Sequence, residues 1–234
     1  MGRLGPGSGK ESAVLPVTRS KSEARRFYDG ISQIYDLLSR AFERRHVERA
    51  LELLSPEEGE SVLEVGFGTG HGLKDMAERV GIAGGIVGLD ISSGMVRAAT
   101  RRLEAVDLMD RISLCCGDAG VLPFRDGVFD AAFMGFTLEL FDNPEIPLVL
   151  DEIRRVLSPG GRFGIVGLSK ETGPSRVLRI YEWAHERWPV FFDCRPIHVE
   201  ESLRSAGYGT IAAERSRMAG LPVGIIVAEK IPLG

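Results

Sequence analysis

Cysteine is scarce in this sequence. Its 234 residues include three, Cys115, Cys116 and Cys194, in no CxxC pair and at no zinc-ligand spacing. That excludes a disulfide-stapled scaffold and a zinc module, and no metal is expected. An odd, sparse count fits a reducing cytoplasm, the expected location. No apolar run approaches the roughly 18 residues that a membrane-crossing helix needs. The first twenty residues also lack the apolar core of a signal peptide. Neither sign of charge dominates: 29 Lys and Arg against 33 Asp and Glu leave a net charge of −4. That balance weighs against duplex nucleic acid, which selects a basic face. The charge is uneven, +3 over residues 1–55 and −7 beyond. A basic N-terminal face stays open beside the plainer reading of a solvated surface.

Glycine, by contrast, is abundant, at 29 residues with no Gly-X-Y period. Collagen is therefore excluded, and the excess belongs in turns and where backbone approaches something closely. Apolar residues make up 44% and charged residues 26%, ordinary for a globular chain. The length suffices to bury a core without staples.

Residues 1–20, rich in Gly, Ser and Pro, read as a flexible leader. From Lys21 to Leu54 the apolar spacing is helical and ends at Ser55-Pro56. Short apolar runs then alternate with helical ones. Strands are expected at 61–65, 85–89, 111–116, 128–134 and 162–168. Helices are expected at 73–80, from Ser92 as N-cap with Met95, Ala99, Leu103 and Val106 on one face, and at 147–157. The last of these should stop at Ser158-Pro159-Gly160-Gly161. Helices at 175–188 and 199–206 follow, and 208–214 with 223–229 close the sheet as an antiparallel pair. Alternation of this kind predicts an α/β, doubly wound sheet covered on both faces. Residues 21–234 read as one domain, with an N-terminal helical cap at 21–54 and an insertion at 169–206.

The informative stretch is Glu64-Val-Gly-Phe-Gly-Thr-Gly70, a strand running into a glycine turn and then a helix. Ligands of doubly wound sheets sit at such strand ends. Gly66, Gly68 and Gly70 are spaced G-x-G-x-G, not the dinucleotide G-x-G-x-x-G, and no Gly-Lys-Ser/Thr follows for a P-loop. Glu64 places an anion at the edge of the turn, which repels pyrophosphate but suits an ammonium or sulfonium. Asp90 ends the second strand, where a carboxylate accepts from ribose hydroxyls, and Asp118 ends the third, within reach of an adenine amino group. Met95, one turn into the next helix, is core or a contact at the adenine edge.

On these residues, with Gly88-Leu-Asp-Ile-Ser92, Gly117-Asp-Ala119, Leu122-Pro-Phe124 and Leu157-Ser-Pro-Gly-Gly161, the chain resembles the class I S-adenosylmethionine-dependent methyltransferases. The resemblance covers roughly residues 60–168. It implies a Rossmann-like sheet of seven strands with an antiparallel last strand, and S-adenosylmethionine as cofactor. The expected contacts are Glu64, Gly66, Phe67, Gly68, Gly70, Asp90, Ile91, Met95, Asp118, Ala119 and Thr137. Tyr28-Asp-Gly-Ile-Ser-Gln-Ile-Tyr-Asp36 is similar to the N-terminal motif of the ubiquinone/menaquinone biosynthesis C-methyltransferases, which implies a lid role for Tyr35. After the fourth strand those enzymes carry an Arg-Asn pair. This chain has Gly135-Phe-Thr-Leu-Glu-Leu140 there instead, so the resemblance carries the cofactor further than the quinone.

Methyl transfer from a sulfonium needs a base only where the acceptor must lose a proton. Candidates by position are Glu139, Asp142, His185 and His198, none of them singled out by the sequence. Tyr181, Trp183, Trp188, Phe191 and Phe192 crowd the insertion, as core or as an apolar acceptor pocket. The expected partner is a small acceptor, aromatic, quinone-like or isoprenoid. A lipid acceptor would bring transient membrane contact, and a homodimer is compatible with the sequence. The rival readings are a methyltransferase of RNA or protein, and a cofactor-binding domain without turnover. Arsenite methylation is disfavoured because adjacent Cys115 and Cys116 point to opposite faces of a strand.

Overall fold

A computed structural model describes residue 14 and residues 21–31, 35–170, 176–187 and 194–231, without the side chains of 21, 31, 35–42, 176 and 186. The leader apart from Val14, the Tyr35 side chain, and Trp188, Phe191 and Phe192 lie outside these residues.

Two helices come first, α1 (Lys21–Ile31) and α2 (Tyr35–Leu54). Strand β1 (Ser61–Val65) leads into α3 (His71–Val80), β2 (Gly85–Asp90) into α4 (Ser93–Glu104), and β3 (Ile112–Cys116) follows. Next come β4 (Phe129–Gly135), α5 (Glu145–Val156), β5 (Leu157–Leu168), α6 (Arg176–Arg187) and α7 (Val199–Ser205). A hairpin of β6 (Tyr208–Met218) and β7 (Leu221–Lys230) ends the described chain.

The seven strands form one sheet in the order β3-β2-β1-β4-β5-β7-β6. The first five run parallel, and β7 is antiparallel to both β5 and β6. The chain moves outward from β1 to β3, then returns to β4 on the other side of β1. That reversal opens a crevice at the carboxyl ends of β1 and β4.

Side chains alternate across the sheet. Val62, Ala131 and Phe133 face one core with Leu51 and Leu54 of α2, Met76 of α3 and Leu103 of α4. Leu63, Val65, Ala132 and Met134 face the other, with Val149 and Ile153 of α5 and Leu203 of α7. Glu64 shares parity with Val62, so the strand aims its carboxylate at the face covered by α3. Arg162 ties α2 to the sheet. It donates to the carbonyls of Leu54 and Ser55, each at 3.1 Å, and to Glu60 at 2.8 and 2.9 Å.

Several boundaries differ from the sequence expectation, those around α5 and α4 among them. Helix α5 starts two residues earlier than Pro147, which sits in its first turn, where the missing N–H has no partner to lose. It ends at Val156 and passes directly into β5. Leu157 already pairs with Phe129, and residues 158–161 loop out before Arg162 pairs with Ala131. Val106 lies beyond the end of α4 and is exposed. No helix among the described residues is long and apolar enough to cross a membrane, and none of their His, Cys, Asp and Glu side chains gather as a metal cluster.

Candidate active site

A cavity of about 470 Å³ occupies the crevice, within the range of small-molecule sites. Glu64, Gly66, Phe67, Gly68, Asp90, Ile91, Met95, Ala119 and Thr137 line it. Gly70 and Asp118 do not. Asp118 turns back to accept from the Gly120 N–H at 2.9 Å, while its neighbours Gly117 and Ala119 reach the cavity.

The glycine turn is held from two sides. Gly66 has φ +73°, and a Cβ there would collide with the Thr137 side chain. Thr137 Oγ1 in turn donates to the Gly135 carbonyl at 2.8 Å. Gly66 is therefore required by packing between β1 and β4. Gly68 has φ +54° and open space where its Cβ would stand. Its N–H donates to Asp90 Oδ2 at 2.9 Å, and the Ser92 N–H donates to Asp90 Oδ1 at 2.9 Å. Asp90 thus braces the turn while its remaining lone pairs stay available to a ligand. Ser92 caps α4 as expected, its hydroxyl accepting from the Met95 N–H at 3.1 Å.

The floor of the cavity is acidic. Burial above all, then the charges of Asp75 and Asp90, pushes the Glu64 carboxyl well above the usual range. The sequence reading put an ionised Glu64 at the edge of the turn. The structure puts it beneath, nearly inaccessible and against Gly72, where the protein's own groups favour the protonated acid. Glu64 Oε2 has no hydrogen-bond partner. Asp90 is pushed up to about 6 by burial, despite the N–H bonds from Ser92 and Gly68. Asp75 is raised as well, again by burial first. A cation seated here would relieve all three. An orphaned buried carboxyl oxygen and an open Gly68 fit a cationic nucleoside ligand.

None of the four base candidates lines the cavity. Glu139 is almost wholly buried and accepts from the Leu168 N–H at 3.1 Å, which stitches β5 to the turn after β4. Asp142 accepts from the Asn143 N–H at 2.9 Å. His185 is buried on α6, and His198 stands at the N-cap of α7. The sequence reading missed Tyr28 and Ala24 of α1, Val47 of α2, His71, Phe136, Phe141 and Glu145, all of which line the cavity. Tyr28 was legible in the same motif as Tyr35. Phe136 carries φ +48°, a bulky residue in a region few such residues adopt, and single-sequence reading has no signal for that.

Sheet order, crevice and acidic strand ends place the protein among doubly wound folds that bind a nucleoside cofactor. Residues 62–161 match the family model described as a methyltransferase domain. Nocamycin O-methyltransferase of Saccharothrix syringae is 33% identical over 83% of this chain, which spans 63% of that enzyme's length. The ubiquinone/menaquinone biosynthesis C-methyltransferase of Hahella chejuensis is 30% identical over 73% of this chain and 70% of that one. The solved structure of the (4+2)-cyclase SpnF superposes with a TM-score of 0.76 at 23% identity, over 96% of this chain and 100% of the other. That likeness concerns the fold alone. The chain belongs to the class I S-adenosylmethionine-dependent methyltransferases.

Proposed function

We propose that the protein transfers the methyl group of S-adenosylmethionine to a small, largely apolar acceptor. The supporting observation is the division of the cavity lining. Carboxylates and the glycine turn stand at the ends of β1 and β2, whereas Phe133, Phe136, Leu140 and Phe141 come from β4 and the turn after it, facing Val47 of α2. Asp90 would hold the ribose, and the acidic floor around Glu64 the sulfonium and ammonium end. Met95 and Ala119 would hold the base, with Thr137 lining the same cavity.

The cofactor, once bound, supplies an already activated methyl group. The chain's own contribution is to orient two ligands and exclude water, worth up to about 7–11 kcal/mol in well-aligned cases. The names of the relatives, one a nocamycin O-methyltransferase and one a C-methyltransferase of ubiquinone/menaquinone biosynthesis, agree in acceptors of small-molecule size. They disagree on the atom, and no base is assigned.

The test is transfer from labelled S-adenosylmethionine into a cell extract split into organic-soluble, water-soluble and acid-precipitable fractions. Label in the organic fraction is expected. Label in the precipitate would replace the acceptor by RNA or protein. Cofactor binding by calorimetry with label in no fraction would favour a binding domain without turnover.

A further inference from the structure

Helix α1 closes one side of the cavity with Ala24 and Tyr28. None of residues 22–30 is fully buried. At eleven residues it is shorter than the roughly 12–15 that hold a helix in isolation. One side chain, Asp29, makes several of the bonds that dock it. Asp29 Oδ1 accepts from the Gly94 N–H at 2.7 Å, the Ser92 hydroxyl at 2.7 Å and the Ser93 hydroxyl at 3.4 Å. These donors are the N-terminus of α4, where a carboxylate also meets the positive end of the helix dipole. The Gly94 N–H bond is the main reason the Asp29 carboxyl is held below its ordinary range. Gly94 admits this contact, because a Cβ there would stand 2.8 Å from the Asp29 Cα.

Ser92 joins this contact to the cofactor site. Its N–H holds Asp90 and its hydroxyl holds Asp29. Two carboxylates are thus bridged by one residue, and the charge of Asp29 disfavours that of Asp90. A hydroxyl donated to Asp90 withdraws negative charge from the pair and eases the seating of Asp29.

We propose that Asp29 is the latch of a releasable lid. Helix α1 closes over the cofactor by seating Asp29 on the N-terminus of α4, and Ser92 couples that closure to the ribose carboxylate Asp90. Asp29 is a positioning residue, acting through α1 and Ser92. By linkage, whatever factor the cofactor contributes to lid closure, closure contributes to cofactor affinity. The proposal rests on the reading that Asp90 takes the cofactor ribose.

The test uses the full chain with S-adenosylhomocysteine as probe. Arg25 and Arg26 are exposed on α1 and report lid opening as trypsin sites. In the wild type the probe should slow cleavage there about tenfold. Asp29→Ala should abolish that protection and speed probe dissociation about tenfold, since interface changes act mostly on off-rates. The urea midpoint of the core should stay unchanged. Gly94→Ala offers a second route, because its methyl clashes with the Asp29 backbone while Asp29 itself is kept, and it favours the α4 helix. It should reproduce both effects. Wild-type protection and off-rate retained in both variants would overturn the latch. A wild type whose calorimetric isotherm shows no probe binding would overturn the cofactor reading and the coupling with it, an outcome distinct from binding without a latch.

Discussion

Glu64 is the residue on which stability and function pull apart. Its folded-state pKa lies above that of the unfolded chain, so the native state holds the proton more tightly. The stability this gives is fully present below about pH 4.5, the ordinary glutamate value, and is lost as pH rises through the shifted one. Glu64→Gln removes the ionisation and keeps the shape. At pH 8 the cofactor-free variant should be more stable than wild type by on the order of 1 kcal/mol, about 2–4 °C in Tm for a chain this long. The gain should vanish near pH 4, and S-adenosylhomocysteine affinity should fall. Calorimetry at both pH values checks it, and equal melting at pH 8 would remove the acidic-floor argument. Gly68 gives the complementary case. With open space at its missing Cβ, Gly68→Ala should cost only the left-handed backbone penalty, about 1–2 kcal/mol. Its loss of cofactor affinity should be larger, because the methyl enters the cavity. Thermal melts with and without S-adenosylhomocysteine separate the two effects. Glu64 and Gly68 stood out in the sequence because few other roles demand them at that spacing. The raised pKa of Glu64 did not, since burial depends on α3 arriving above it.

Among the elements, the β6–β7 hairpin offers a local test. Met218 pairs with Leu221 across a two-residue turn, and both turn residues, Ala219 (φ +48°) and Gly220 (φ +84°), are left-handed. This is the geometry that matches strand twist and favours Asn-Gly. Ala219→Asn should raise stability by roughly 0.5–1 kcal/mol, relieving the cost alanine bears there. An unchanged or lower urea midpoint would contradict the turn geometry. Apolar alternation made both strands legible, yet the sequence reading ended the first at 214 and started the second at 223. Beyond Glu214, edge strand β6 is half-exposed and carries Arg215 and Arg217, which read as loop without the ladder that β7 supplies. The α5–β5 junction misled for a related reason. Ser158-Pro159-Gly160-Gly161 stops a helix in most settings, but here Leu157 has already entered the sheet opposite Phe129.

For the whole molecule, Arg162 shows how the N-terminal helices are fastened to the sheet. Its guanidinium reaches the last carbonyls of α2 and the Glu60 carboxylate just before β1. Glu60 is held below its ordinary range by the Arg162 bonds against its own partial burial. Arg162→Ala should cost roughly 2–3 kcal/mol, the scale of hydrogen bonds to a charged partner, read as a drop in urea midpoint. Cofactor affinity measured well below the melting point should be unchanged, since Arg162 does not line the cavity. A selective loss of affinity would mean that α2 docking shapes the site. By itself the sequence determined the order of elements, the parallel sheet with its antiparallel end, and the cofactor turn. Those depend on apolar period and on glycines and carboxylates close together in the chain. Only the tertiary structure decided which acids face the cavity. Glu139, Asp142, His185 and His198 are distributed among a buried stitch, a turn, a helix core and a helix cap. Tyr28, Val47, Phe136 and Phe141, up to 113 residues apart in sequence, meet around one space. The physical reason is that a pocket wall is set by how helices pack over strand ends, through contacts whose partners lie far along the chain.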